Sequence, residues 1–279
     1  ALARAVAYSR EREQFGELLC RKQGFTHKLI VPHAVRLEAA RAYCEVVAAR
    51  MDAREPDMQV EGSVAKYFST EAGLAAADAA IQAHGGYGYI REYEVEKIWR
   101  DARITTIYEG TSEIQQSIIG MFRWRSVVRS RGGFYRDKAV EMRALGEAGE
   151  AVGAERAALA ADALAETVLA CHRKKLPRQQ IVMFELARLV AEVETAVALC
   201  RKAAAATGKT AALLQPAARL HAAHEVAVTG WRILSGSGRH DDAELAAWRE
   251  TARFDELQTQ HQGWLADMDR VAEVVVGDD

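Results

Sequence analysis

The chain has 279 residues, 49% of them hydrophobic and 27% charged, enough for one large or two ordinary domains with a real core. Its formal net charge of −2 excludes nucleic acid as a main partner, because phosphate contacts need a basic surplus. No apolar run approaches 18 residues, and the four cysteines (20, 44, 171 and 200) show no CxxC spacing, so the expectation is reduced thiols in a cytosol-like compartment without a spanning helix.

Only four prolines occur, alanine is abundant and alternating β-branched segments are few, so the expected class is all-α. The opening ALARAVAYSRERE is no signal peptide, since an arginine interrupts its short apolar stretch. It starts without Met and on helical periodicity, which leads us to expect the downstream part of a longer protein. In chain order, helices are expected near 1–13, 24–53, 60–84, 92–103, 112–128, 137–175, 178–207, 210–236 and 241–275. Apolar stripes support the later ones: Ala157, Ala160, Leu164, Val168 and Cys171 recur at helical spacing, as do Val182, Leu186, Leu189, Val193 and Val197. Breakers separate them at Glu55-Pro56-Asp57, Gly85-Gly86, Gly132-Gly133, Leu176-Pro177, Gly208 and SGSGRHDD (235–242). The Gly132-Gly133 region divides a part rich in motif-like loops (1–128) from a part that reads as a bundle of long helices (129–279).

Three short segments carry chemistry. GGYGY (85–89), after Gln82, has clustered glycines that let a backbone approach a ligand, but it lacks GxGxxG and a preceding strand; alone it reads as a helix-terminating turn. REREQFG (10–16) offers a cation and an aromatic face; alone it reads as a solvated helix end with one packed Phe. In YEGTSEIQ, Ser112 and Gln115 have capping-box spacing, so a helix should begin there with Thr111, Ser112 and free N–H groups turned outward. Glu109 precedes that start on a loop loosened by Gly110, and alone it is either a surface acid or a functional carboxylate.

YSREREQFGELLCRKQ, followed by AKYFSTEAGLAAADAAIQAHGGYGYIREYEVEKIWRDARITTIYEGTSEIQ, resembles the C-terminal domain of the acyl-CoA dehydrogenases over about residues 1–125. Residues 126–279 are more weakly similar to the helical extension of the very-long-chain members, best in HRKKLPRQQIVMFELARLVAEVETAVALCRKAA. The resemblance implies a helical-bundle domain followed by a second helical bundle, FAD as cofactor, and α,β-desaturation of a fatty acyl-CoA thioester. It also implies electron transfer to an electron-transferring flavoprotein and a homodimer or homotetramer. Glu109 takes the position of the base that removes the α-proton, with Tyr108 and Gly110 beside the thioester. Arg12, Gln14 and Phe15 match positions holding FAD across a subunit boundary. Lys22 and Gln23 match another flavin contact, and Gln82 through Gly86, including Gly85, match a loop against the neighbouring subunit's FAD. Thr111 and Glu113 match contacts to FAD of the same subunit. His84 departs from the apolar or aromatic residue usual there. The chemistry requires a poorly solvated carboxylate, since α-protons are weakly acidic. The family's N-terminal helical and central β domains are missing from this stretch, so FAD binding by the chain alone should be poor. A cytoplasmic or mitochondrial-matrix enzyme is expected. Acyl-CoA oxidase chemistry with the same base, or a non-catalytic helical assembly module, are the alternatives.

Two further features stand outside the resemblance. His221 and His224, three apart on an expected helix, could share a metal, but no ExxH or HExxH accompanies them, so no metal site is expected. RWRSVVRSRGGFYRDK (123–138) carries six basic side chains and one acid, which reads as a solvated face or a surface for anionic membranes.

Overall fold

The computed structural model describes residues 1–222, 225–259 and 263–277. Its first part holds α1 (Leu2–Glu11), a minimal hairpin of β1 (Glu13–Gln14) and β2 (Glu17–Leu18), α2 (Gln23–Leu29), α3 (Val31–Asp52), α4 (Gln59–His84), the single turn α5 (Gly86–Tyr89), α6 (Val95–Arg103) and α7 (Ser112–Arg129). The second part adds α8 (Gly133–Arg143), α9 (Gly146–Val152), α10 (Ala154–Arg173), α11 (Gln180–Ala204), α12 (Gly208–His221), α13 (Glu225–Gly236), α14 (Asp242–Thr251), α15 (Phe254–Thr259) and α16 (Trp264–Val276). The all-α class is as expected, the hairpin being the one exception among the described residues.

Several expected long helices are interrupted, each for a local reason. The stretch 24–53 divides at Ile30, which places Pro32 in the first turn of α3, where its missing N–H costs nothing. The stretch 137–175 begins earlier, after left-handed Gly132, and divides at Gly146 and Gly153, both at positive φ. The stretch 210–236 ends its first segment at His221, where Ala222 turns extended. The stretch 241–275 is broken after Thr251, where Arg253 takes φ 50°.

Two helices organise the packing. α10 is buried on every side through Ala157 to Ala161 and Ala163 to Ala165, because alanine lets α8, α11 and α13 approach it closely. α11 packs against α3, α7, α10 and α12, so buried side chains from both sides of residue 128 form one continuous core. A buried ionic cluster crosses it. Arg123 of α7 binds Glu194 of α11 through two nitrogens (2.6 and 3.1 Å) and Glu61 of α4 (3.0 Å), while Tyr43 and Tyr135 donate to Glu194 (2.7 and 3.1 Å). The expected basic face at 123–138 is therefore not continuous: Arg123 points into the core, Tyr135 is fully buried and Arg136 pairs with Glu166. Arg125, Arg129, Arg131 and Arg136 of that stretch remain exposed. No described helix is long and apolar enough to cross a membrane.

A smaller satellite core joins Ala5 of α1, Ile30, Ala80 and Ala83 of α4, Val95 of α6 and Val276 of α16.

Candidate active site

Glu109 lies between a 3-10 turn (Ile104–Thr106) and α7, with φ 53°, in the left-handed region that a non-glycine residue occupies at a cost. Gly110 follows at φ 88°, where an added Cβ would lie 2.7 Å from the Gln115 amide. This double left-handed step is held at both carbonyls. Gln115 Nε2 donates to the Glu109 carbonyl (2.9 Å) and Lys66 Nζ to the Gly110 carbonyl (2.8 Å). The helix cap differs from the expected box. Thr111 is the cap, its hydroxyl accepting from the Ile114 N–H (3.4 Å), and Gln115 serves the loop instead. Ser112 is buried and donates to Glu71, so it does not face outward as expected.

Around Glu109 stand three other charged groups. Burial draws the Lys66 ammonium down from its ordinary value, while Glu71, Glu109 and Glu113 oppose that shift. The Thr111 hydroxyl and its own backbone N–H hold Glu113 below the usual carboxylate range. Glu109 is exposed, with the Glu109 N–H bonded to no acceptor among the described residues. Ile104, Ile107, Tyr108 and Ile114 beside it are each about half exposed, so Glu109 sits in an apolar surface that this chain leaves uncovered.

The second patch gathers Arg12, Gln14, Gln82, Gly85 and Gly86 around an open cleft of about 600 Å³. Phe15, at the hairpin tip, takes φ 54° with Gly16 at 75°, the pairing a two-residue I′ turn requires. The expectation of a packed Phe fails: its ring is 96% exposed. Arg12 has no carboxylate partner among the described residues and lies 5.9 Å from the Tyr87 ring centre. A side chain at Gly85 or Gly86 would meet nothing within 4 Å, so that face of the turn is open, while the Gly85 N–H and carbonyl are engaged by Gln82 and Gly88. His84 is structural: buried, stacked on Tyr8 at 4.3 Å, with Nδ1 2.8 Å from the Ala80 carbonyl. Lys22 lies 3.3 Å from Glu17 and 5.9 Å from the Phe15 ring, and Gln23 bonds Asp269 (3.2 Å).

One helix measures the distance between the patches. Lys66 and Gln82 both lie on α4, sixteen residues and therefore about 24 Å apart along its axis. Tyr108, Glu109, Gly110, Thr111 and Glu113 thus gather at one end, and Arg12, Gln14, Phe15, Gln82, Gly85 and Gly86 at the other. Lys66, Glu71 and Asp269 escaped sequence reasoning, since their partners lie 41 or more residues away.

His221 is buried, 2.9 Å from the Thr195 hydroxyl and edge-on to Phe68. His224 lies outside the described residues. No group of three or more metal-ligating side chains occurs among the described residues.

Residues 1–122 match the family model "Acyl-CoA dehydrogenase, C-terminal domain". An acyl-CoA dehydrogenase of Bacillus subtilis is 44% identical over 122 residues, 44% of this chain and 32% of that protein. The caffeyl-CoA reductase-Etf complex subunit CarC of Acetobacterium woodii is 42% identical over 119 residues, 43% of this chain and 31% of its own length. The chain thus spans about a third of the curated relatives it matches. A Bacillus anthracis acyl-CoA dehydrogenase solved with FAD matches 99% of this chain and 52% of its own, at TM-score 0.75 and 18% identity. Arabidopsis thaliana acyl-CoA oxidase 1 matches 99% of this chain and 47% of its own, at TM-score 0.66 and 15% identity. These structures share the fold, extension included.

Proposed function

We propose that this chain, whose residues 1–122 are an acyl-CoA dehydrogenase C-terminal domain, supplies the base and part of the flavin site of an FAD-dependent enzyme that desaturates fatty acyl-CoA thioesters. The observation that carries this reading is the Glu109 loop: a carboxylate in a strained left-handed conformation, clamped at two carbonyls and ringed by uncovered apolar side chains. Strain kept in place by surrounding contacts is a mark of functional positioning.

Glu109 takes the α-proton of the acyl thioester. Its exposure on this chain is removed when the apolar ring of Ile104, Ile107, Tyr108 and Ile114 is covered, which strips water from the carboxylate and strengthens it as a base. The unengaged Glu109 N–H is placed to donate to the thioester oxygen as charge builds there. FAD supplies the acceptor for the hydride leaving the β-carbon. The residues of the second patch fit such a dinucleotide. Arg12 offers an unpaired cation for a pyrophosphate, Phe15 an exposed flat ring, and Gly85 and Gly86 a face that no side chain obstructs. Thr111 and Glu113 border the first patch. The resemblance matches the two patches to flavins held by different subunits, and their separation of about 24 Å along α4 agrees with that, so the proposed enzyme is at least a homodimer. The relative named as part of an Etf complex supports an electron-transferring flavoprotein as acceptor, and we place the enzyme in the cytoplasm or mitochondrial matrix.

The test is Glu109→Gln in the holoenzyme. FAD content should stay unchanged while desaturation falls by about 10²–10⁴-fold, the range for a lost general base. Activity that survives the change sinks the assignment. Peroxide release against reduction of a flavoprotein acceptor separates dehydrogenase from oxidase.

A further inference from the structure

The last helix of the second bundle reaches back to the cofactor patch. α16 lies far beyond the residues matched by the family model and packs chiefly on α12, yet it also meets α1 and α2, beside Arg12 and at Gln23, which the resemblance matches to flavin contacts. Asp269 Oδ1 accepts from Gln23 Nε2 at 3.2 Å and stands 3.0 Å from His27 Nε2. Arg10, two residues before Arg12, donates to the carbonyls of Val276 and Gly277. Val276 is buried in the satellite core that also holds Ala5, Ile30 and Ala83. The end of the chain therefore touches the approach to the hairpin and Gln23 itself.

The polarity of the Gln23 contact carries the consequence. An ionised carboxylate only accepts, so Asp269 takes the amide nitrogen and leaves Oε1 as the free acceptor. His27 Nε2–H donates to the same oxygen for the same reason, which holds the carboxylate in place. Without Asp269 the amide is free to turn either group outward. We infer that Asp269 is a positioning residue of the flavin site, acting through Gln23 so that its oxygen meets a hydroxyl of the flavin nucleotide, with α16 as the buttress beneath. This rests on the flavin reading above.

The experiment is a double-mutant cycle on FAD affinity, read by flavin fluorescence on the holoenzyme reconstituted with FAD. Asp269→Ala should weaken binding about three- to tenfold, as expected for one partly exposed charge-assisted hydrogen bond. In a Gln23→Ala background the same change should add nothing, because its route is gone. Asp269→Asn, whose amide oxygen still accepts from Gln23, should recover most of the loss. Without flavin, Asp269→Ala in this chain should speed hydrogen exchange at the amides of Leu19 and Lys22 while α11 stays protected. If the wild type binds FAD and Asp269→Ala binds it equally well, or if the losses of Asp269→Ala and Gln23→Ala add, this inference fails and the flavin reading stands. A wild type that holds no FAD overturns both.

Discussion

Replacing Glu194 by alanine strikes a buried ionic cluster that joins the two helical parts through their shared core. Glu194 is 5% exposed and receives four hydrogen bonds, two from Arg123 and one each from Tyr43 and Tyr135. Burial alone would raise its carboxyl, but the Arg123 charge and the donated hydrogen bonds outweigh that and hold it at about 2, against an ordinary 4.5. That displacement corresponds to roughly 3 kcal/mol. Removing the carboxylate also leaves the Arg123 guanidinium buried with Glu61 as its remaining acid, and two tyrosine hydroxyls unbonded. Breaking a buried pair from one side costs about 3–5 kcal/mol, which for a chain of this size lowers the melting temperature by about 10 °C. Urea denaturation of both proteins at pH 7 measures it. Because the folded carboxyl titrates below the unfolded one, its contribution is complete above pH 4.5 and is lost as pH falls through about 2. The gap between wild type and Glu194→Ala should therefore narrow across that window. The double change Arg123→Met with Glu194→Leu should cost less than Glu194→Ala alone, since no charge is stranded. A loss below about 1 kcal/mol at pH 7, or a gap indifferent to acid, refutes the reasoning.

Two other changes test the same packing and the loop it supports. A Cβ on Gly120 would lie 2.8 Å from the Met183 carbonyl, so Gly120→Ala should push α7 from α11 and destabilise by about 1–3 kcal/mol in thermal unfolding. Gly73→Ala, in α4 with open space around it, should instead stabilise by up to about 1 kcal/mol. Lys66→Met removes the donor to the Gly110 carbonyl; steady-state kinetics of the holoenzyme should show kcat lower by about tenfold with KM little changed, and Lys66→Arg should restore part of it.

What could be read from the residues alone divides by the range of the interaction. α1, α4, α6, α7 and α11 were legible within a few residues, because stripe and breaker are both local. The interruptions in the later helices were not: Gly146 and Gly153 look like tolerated helix glycines until their positive φ is seen, and Arg253 has no residue-type signal for its left-handed turn. The stripe in α10 was real but incomplete, since the intervening alanines are buried as well and periodicity cannot distinguish a helix with one apolar face from one surrounded on all sides.

The site shows the same division more sharply. The motif around Glu109 marks the acid and holds one clamp, Gln115, yet the other, Lys66, sits on a different helix, and nothing near it in the sequence announces a carbonyl 44 residues away. Arg123 is the opposite error: its neighbours Arg125, Arg129 and Arg131 make it look like surface, while its partner Glu194 lies 71 residues on. A charged residue is assigned to solvent by its neighbours in sequence and to the core by its partner in space, and only folding brings the second into view. The same holds for the extension. Asp269 looks like one polar position of a C-terminal helix until Gln23 and His27 are found against it, 246 and 242 residues earlier. The second bundle therefore bears on the first at two depths, through Glu194 in the core and Asp269 at the rim, and these contacts, 71 or more residues apart, set the shape in which the motif residues are presented.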